Sequence, residues 1–557
     1  MQTQPRYRPA ILLFSVIWLI LFVLYLPAAK AGFVTDFTGW LDQIQNHSFK
    51  EYVNSSNFKV HSLYQLTQFV TYIFYKLFGI HPVLWHLLHI TLHALNCCLL
   101  FRLCTRLLDD TGVMNSKAIA FCGAFLFCIS PYQSEVIVWE SAFHFLQGLL
   151  LILLILVCVQ QYIRMGKKKY AWLSVFIYLL STYSLEVFYI TPWLVLLLGI
   201  FYYQLSVYKN KITRNVFYYI FLPQLILWCV HLLIFKTVYG GWFSHTQSHT
   251  MATAGDPTLG KPAKYLFHLL LLGRFFSDDI RQSIYAICDS LAGIIVFYGA
   301  VASLFGYIIV RFKQFTGKGK VLSLLFVYTL ITLCLLMRLW FYGADLVLYD
   351  RYTYFTGAFL YMMVAIAVSF ISHHYLKIVI LSIYALINLR FTIKVVRYWH
   401  KSSHVLYGLL HNIPTTGNKT IVLLNLPQSM HGVPMLYSGE ESEYALMHNL
   451  LLPEQKINNV IYDGLSYNML TPTDGAHVTV LNDSTIRVTL NQWGTWWWYG
   501  TLGANSYSNA DYNLNLIDEG HFYELTLKKP AAQYLLLYSI GDAWKTVDMN
   551  KKNEDQY

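Results

Sequence analysis

The chain has 557 residues, of which 56% are hydrophobic, 17% aromatic and only 12% charged. An ordinary soluble domain carries roughly 25% charged residues, so this composition excludes a soluble globular enzyme and indicates a membrane protein. The net charge of +11 is unevenly divided, because residues 1–410 are strongly basic whereas the remainder is acidic. The Lys and Arg residues form short clusters between apolar runs, which favours a role in membrane topology over nucleic-acid binding.

About eleven apolar runs are candidates for spans of a hydrocarbon core roughly 30 Å thick. They are 10–29, 82–106, 117–130, 145–163, 169–185, 187–207, 215–236, 286–310, 321–342, 352–371 and 375–393. The run 117–130 is short and is broken by Pro131. Two stretches of mixed polarity, 62–79 and 263–276, are predicted to be helices that lie at the interface or re-enter the bundle.

Arg6 and Arg8 precede the first run, which predicts a cytoplasmic N-terminus. Alternation from there puts 17 basic residues and only two acidic ones, Asp109 and Asp110, on the cytoplasmic face. Residues 1–405 are therefore predicted to form a transmembrane domain. Residues 412–557 alternate apolar and polar positions, which predicts a β-rich extracytoplasmic domain. The short loops and the lack of eukaryotic sorting signals favour a bacterial inner membrane.

All nine cysteines precede residue 410, so no disulfide framework is predicted for the C-terminal domain.

Ionisable residues gather near the predicted outer boundary, where their cost makes each one a functional candidate. The first outer loop, residues 30–61, contains Asp36 among aromatic residues. Other loops contribute Glu135, Glu186, Asp350, Arg351, Tyr352 and Tyr354. A carboxylate can accept a proton from a hydroxyl while Arg neutralises a phosphate bidentately, so this inventory suits transfer of a group from a lipid phosphate. The simpler interpretations are a solvated loop aspartate and an arginine that snorkels to the interface.

Three histidines, His86, His89 and His93, share one face of a predicted helix with Asn96. A zinc site would fit the spacing, but no acidic residue or cysteine on that helix completes it, so a buried hydrogen-bonding stripe is favoured and no metal is predicted. Other clusters are interpreted as structural: His245 and His249 as loop residues, Lys264, Arg274 and Arg281 as lipid-surface contacts, and the aromatic run 493–499 as an anchor or core.

Several motifs, in this order, resemble those of the GT-C superfamily of membrane glycosyltransferases that use polyprenyl-phosphate sugars. The likeness is greatest to the branch that includes protein O-mannosyltransferases and their bacterial relatives. The motifs are the acidic loop with Asp36, LFGIHPVLWHLLHITLHALN (77–96), SPYQSEVIVW (130–139), SLEVFYITP (184–192), YDRYTYF (349–355) and RYWHKSS (397–403).

The resemblance implies a GT-C-like fold and transfer of one sugar, with inversion, from a polyprenyl-phosphate donor to a glycan, lipid or protein acceptor outside the cytoplasm. It implies that Asp36 activates the acceptor and that Arg351, with Tyr352 and Tyr354, serves the lipid phosphate. The residues implied to line or brace the cavity are Glu135, Glu186, His86, His93, Asn96 and Asp350. Neither a metal nor another cofactor is expected. Two alternatives remain open: a polysaccharide polymerase or ligase that uses lipid-pyrophosphate donors, and a non-enzymatic transporter or flippase of lipid-linked sugars.

Overall fold

The computed structural model describes most of the chain. The described residues are 8–54, 63–184, 186–205, 208, 210–242, 258–335, 349–414, 417–436, 442–490, 494–495, 506–517 and 522–557. Within these residues, helices occupy the first three quarters of the chain, and the last quarter contains the strands together with the short helix α19.

The helices have the following bounds: α1 (Arg8–Tyr25), α2 (Phe37–Asn46), α3 (Phe49–Asn54), α4 (Gln65–Phe78), α5 (Pro82–Asp110), α6 (Ser116–Cys128), α7 (Ser134–Val138), α8 (Phe143–Met165), α9 (Lys168–Ser181), α10 (Thr191–Leu205), α11 (Asn210–Val216), α12 (Leu222–Tyr239), α13 (Lys261–Leu271), α14 (Asp278–Asp289), α15 (Leu291–Arg311), α16 (Gly317–Cys334), α17 (Tyr354–Val368), α18 (His374–His411) and α19 (Glu443–Leu451).

The strands are β1 (Thr420–Met430), β2 (Val433–Pro434), β3 (Ile461–Met469), β4 (Ala476–Val480), β5 (Thr485–Leu490), β6 (Gly494–Thr495), β7 (Ser506–Ser508), β8 (Tyr512–Ile517), β9 (Phe522–Leu527), β10 (Tyr534–Ile540), β11 (Ala543–Thr546) and β12 (Asp555–Gln556).

Seven helices in the described part of the chain are long and apolar enough to cross a membrane, or eight if a bent pair counts as one span. The bent pair joins α6 to the segment Pro131–Val138 at 55°. The proline ring cannot donate a backbone hydrogen bond and clashes with a preceding carbonyl, so the helix breaks there. The other predicted runs contain shorter helices, such as α10 with 15 residues. The chain is a multi-pass membrane protein with a C-terminal β-sheet domain, which confirms the predicted fold class.

Apolar side chains cover much of the outside of the helical part. Leu291 and Val310 of α15 are 73% and 76% exposed, and that helix buries no residue at all. The amphipathic α4 is oriented in the same way, because its polar residues Thr67 and Gln68 are buried while Leu77 is exposed. Exposed apolar surface on this scale is stable only against lipid.

Two sheets form the C-terminal domain. In the first, β1 lies between β3 and β10, parallel to both, and β11 and β6 pair antiparallel at the edges. The second sheet is antiparallel, in the order β12-β4-β5-β9-β8-β7. The predicted β-rich character is confirmed, whereas the parallel pairing of β1 and β3 across α19 was not anticipated. Parallel strands need a crossover connection, and α19 lies in that connection.

The helix α18 connects the two parts of the protein. Its 38 residues correspond to about 57 Å at the usual helical rise, about twice what a bilayer core requires. Its last turns pack against the C-terminal domain, where Leu409 accepts hydrogen bonds from Tyr444 and Trp544. A further cluster joins the segment after α1 to both parts and contains Phe33, Phe37, Trp40, Leu41, Trp85 and Leu450.

Candidate functional site

Asp36 lies directly before α2, in the first loop after α1. Its side chain is exposed, although Thr35 and Phe37 on either side are fully buried. The carboxylate oxygen Oδ1 accepts hydrogen bonds from the hydroxyls of Ser141, at 2.5 Å, and Thr35, at 3.0 Å. The fold therefore holds one oxygen of the carboxylate while the side chain stays open to the outside.

Protein surrounds this carboxylate even though it is exposed. The loss of solvation raises the pKa of Asp36, and this effect outweighs the hydrogen bonds from Ser141 and Thr35 and the positive charge of Arg351, which all act in the opposite direction. Neighbouring protein atoms remove part of the hydration of a carboxylate even where its side chain keeps contact with solvent. Asp36 is therefore a stronger base than an ordinary surface aspartate, and it lies within electrostatic range of Arg351.

Arg351 is held from several sides. Its backbone N–H donates to Glu135 Oε2 at 2.6 Å, and its guanidinium group donates to Glu135 Oε1. The guanidinium carbon lies 4.5 Å from the centroid of the Trp139 ring and 4.8 Å from that of Tyr352. The side chain is 12% exposed, and that of Glu135 is 4% exposed. Aromatic faces and a carboxylate thus fix the cation in place, while part of it stays accessible.

Asp350 has a different environment from its neighbour Arg351. It is fully buried, and its oxygens bind the guanidinium of Arg274 and, at 2.9 Å, the Nε2 atom of His268. Burial lowers the pKa of Arg274 to about 10, which leaves this side chain charged at neutral pH. The predicted lipid-surface contact of Arg274 is therefore wrong, because a buried carboxylate binds its charge. Asp350 braces the site from behind rather than lining its surface.

The histidine face of α5 lies inside the bundle. His86 Nε2 is 3.0 Å from Glu140 Oε1, and His93 Nδ1 is 2.8 Å from the hydroxyl of Tyr354. The same hydroxyl accepts a hydrogen bond from Asn96 at 3.0 Å. All of these residues are at most 4% exposed. The Tyr354 hydroxyl thus belongs to a buried network that ties α5 to α17.

Some predicted candidates lie partly or wholly outside the described residues. Glu186 begins a short helical turn, Glu186–Tyr189, but its side chain is not among those described. His245, His249 and most of the aromatic run 493–499 also lie outside. Among the described residues, no group of three or more potential metal ligands occurs.

Sequence reasoning missed Ser141 and Thr35, which hold the Asp36 carboxylate, and it gave no role to Glu140, the partner of His86. Glu140 and Ser141 directly follow the SPYQSEVIVW motif. A small hydroxyl residue beside a conspicuous acidic motif was the only local signal available.

An apolar cavity of about 200 Å³ lies between the C-terminal end of α1 and the N-terminal end of α5. Its lining includes Tyr25, Ala29, Lys30, His86 and Ile90. His86 links the cavity to the site, because its Nδ1 atom lies 3.2 Å from the carbonyl of Ala29 and its Nε2 atom contacts Glu140. Apolar space with one cation at its edge therefore adjoins the loop that presents Asp36.

Comparison with known proteins yields structural similarity only. No family model matches the chain, and no curated protein matches it. Two similar solved structures are ArnT from Cupriavidus metallidurans bound to undecaprenyl phosphate and the same protein in the apo state. The first is 14% identical over 81% of this chain and 89% of that chain, with a TM-score of 0.31. The second is 13% identical over 82% of this chain and 90% of that chain, with a TM-score of 0.34. Similarity of this extent carries no argument about this chain.

Proposed function

We propose that the protein is a membrane glycosyltransferase of GT-C type, related to the protein O-mannosyltransferases and their bacterial relatives. It transfers one sugar from a polyprenyl-phosphate donor to an extracytoplasmic acceptor with inversion. The observation that carries this proposal is the exposed but desolvated Asp36 carboxylate within electrostatic range of the Arg351 guanidinium. A base and a cation in this arrangement suit the two ends of one displacement, the acceptor hydroxyl and the departing phosphate.

In the proposed reaction the acceptor oxygen attacks the anomeric carbon while its proton passes to Asp36. A new glycosidic bond forms as the bond between that carbon and the phosphate oxygen breaks. The electron pair of the broken bond stays on the polyprenyl phosphate, whose charge Arg351 stabilises. A single displacement inverts the anomeric configuration, and Asp36 then returns its proton to water.

The remaining residues support these two groups. Glu135 orients Arg351 through its backbone and side-chain contacts, and Tyr352 packs against the guanidinium. His86, His93, Asn96 and Tyr354 brace the bundle behind the site. The apolar cavity beside the Asp36 loop supports a donor with a hydrocarbon chain, which a nucleotide sugar lacks.

The first test replaces Asp36 with Asn in membrane vesicles that contain the full chain. A panel of undecaprenyl-phosphate hexoses and pentoses, each labelled in the sugar, serves as donor, and labelled product is measured. Loss of a general base is expected to lower the rate by roughly 10²- to 10⁴-fold. Asp42→Asn is the matched control, because Asp42 lies on α2 and its carboxylate accepts a local hydrogen bond from Asn46, at 2.9 Å.

Equal rates in the two variants would remove Asp36 from the mechanism. Block-wise growth of a polymer from lipid-pyrophosphate donors would favour the polymerase alternative. Movement of labelled donor across the vesicle membrane without a new glycosidic bond would favour a transporter.

A further inference from the structure

A short hairpin of the C-terminal domain reaches the candidate site. It begins at the end of β1 and returns through β2, with Met430 opposite Val433. The two turn residues, His431 and Gly432, have φ angles of +50° and +77°. Two consecutive residues with positive φ are typical of the tight turns that match the twist of an antiparallel hairpin. The hairpin, residues 428–436, is thus a defined element rather than an irregular loop.

One side of the hairpin holds the loop that presents Asp36. The carbonyl of Met435 accepts a hydrogen bond from the backbone N–H of Thr35 at 3.1 Å. Met435 is itself fixed, because its N–H donates to the carbonyl of Gln428 at 2.8 Å. Thr35 has a φ of +47°, which a β-branched residue adopts only where its surroundings impose it. This backbone conformation sets the direction in which Asp36 leaves the loop.

The tip of the same hairpin holds the opposite side of the site. The carbonyl of His431 accepts a hydrogen bond from Arg274 at 2.7 Å, and Arg274 also binds Asp350. Asp350 directly precedes Arg351 in the chain, so the position of Arg274 bears on the proposed phosphate-binding cation. The His431 ring stacks on Tyr398 of α18 with 4.1 Å between centroids, which anchors the tip.

The extramembrane end of α18 supports the same loop from another direction. The N–H of Gly32 donates to the hydroxyl of Ser403 at 3.0 Å. A side chain at position 32 would collide with Tyr407, because its Cβ would lie 1.8 Å from the tyrosine hydroxyl oxygen. The loop is therefore packed closely against elements far along the chain.

We propose that the 428–436 hairpin is a positioning element of the transfer site, one that sets the Asp36 loop and the Asp350–Arg274 pair relative to each other. Both contacts use main-chain carbonyls, so the path of the hairpin backbone matters more than its side chains. The proposal rests on the proposed function for its kinetic readout, and it gives the C-terminal domain a part in the transfer step. Small displacements of reacting groups are costly, because a shift of about 1 Å lowers a rate by as much as ~100-fold.

The structural test compares Gly432→Ala with Gly417→Ala in the full-length protein in lipid nanodiscs. These glycines flank β1 at opposite ends, and both have positive φ, +77° and +45°. Alanine strains each turn in a similar way, but only Gly432 lies in the hairpin. Hydrogen exchange measured by mass spectrometry is expected to rise in peptides covering residues 31–41 for Gly432→Ala alone.

A second, milder variant with its own control separates a local effect of the hairpin from a general loss of folding. His431→Asn removes the ring that stacks on Tyr398, and Asn tolerates positive φ. His477→Asn is its control, because His477 stacks on Tyr557 at 4.3 Å at the surface of the same domain. Exchange in residues 31–41 that stays at the wild-type level in both hairpin variants would overturn the proposal.

The kinetic readout separates this proposal from the proposed function. For Gly432→Ala we expect kcat to fall by ~10-fold while the donor KM stays nearly constant, since alignment rather than binding is lost. Raised exchange with an unchanged kcat would refute the positioning role. The wild-type protein could instead transfer no sugar from any donor while Gly432→Ala still raises hydrogen exchange. That result would support the hairpin contacts and refute the proposed function.

Discussion

At the scale of single residues, the environment of Asp36 matters more than its identity. Many outer loops of membrane proteins contain aspartate, and most such carboxylates are solvated. Here desolvation by the surrounding protein raises the pKa of Asp36, while the hydrogen bonds from Ser141 and Thr35 lower it and orient Oδ1. The balance leaves a carboxylate that is more basic than an ordinary surface aspartate.

This balance predicts a pH dependence. The ionised form of Asp36 is the active base, so kcat/KM should fall as the pH decreases through its raised pKa, above the value of about 3.9 for an unperturbed aspartate. Ser141→Ala removes a hydrogen bond that lowers this pKa, so the acid limb should move to higher pH. A pH profile of both proteins checks the direction, and a limb that moves to lower pH would contradict the assignment.

At the scale of elements, two buried ion pairs fasten the turn before α17. Arg351 binds Glu135 of α7, and Asp350 binds Arg274, which follows α13. Asp350 and Arg351, which are adjacent in the chain, thus carry opposite charges, and the partner of each lies in a different part of the fold. Each pair replaces the solvation that its members lose on burial, and the two together hold the turn in one orientation.

Breaking the Asp350–Arg274 pair should therefore destabilise the protein. Asp350→Asn leaves Arg274 buried with an unbalanced charge, and we expect the free energy of unfolding to fall by about 3–5 kcal/mol. Chemical denaturation in detergent micelles measures this. Asp483→Asn is the control, because its partner Lys552 lies at the surface and the two side chains are 90% and 49% exposed. A similar, small effect of both changes would mean that the Asp350–Arg274 pair contributes little to the free energy of unfolding.

At the scale of the whole molecule, α18 joins the membrane part and the C-terminal domain. The helix continues without interruption from the apolar segment into the packed end that binds Tyr444 and Trp544. A rigid connection of this kind suits a domain that contacts the site through a hairpin, because a flexible linker would not keep these hydrogen bonds in register.

The predicted orientation has its own test. A cysteine in place of Lys545, on β11, should react with a membrane-impermeant maleimide in spheroplasts. A cysteine in place of Lys313, in the turn after α15, should react only after permeabilisation. The two exposed native thiols, Cys229 and Cys334, are first replaced by alanine to remove background labelling. The reverse pattern would refute the assignment of a cytoplasmic N-terminus and an external C-terminal domain.

Particular residues show how far prediction from the sequence reached. The break at Pro131 and the strands around Thr420 and Tyr534 follow from local chemistry, and the structure has them where the patterns indicate. The amphipathic stretch around Arg274 predicts a lipid-surface contact for this side chain. Its actual partner, Asp350, is 76 positions away, and no local pattern points to it.

The order of the amino acids is enough to predict the class of protein, the places where the helices lie and the strand-rich end, because hydrophobic runs and alternation are properties of neighbouring residues. It also singled out Asp36 and Arg351. The pairing of charges depends on the folded chain, because Glu135 and Arg351 are 216 positions apart and meet when α7 packs beside the turn before α17. The fold also brings a hairpin of the C-terminal domain into contact with both sides of the site. Burial makes such pairing strong, and burial depends on how the whole chain packs.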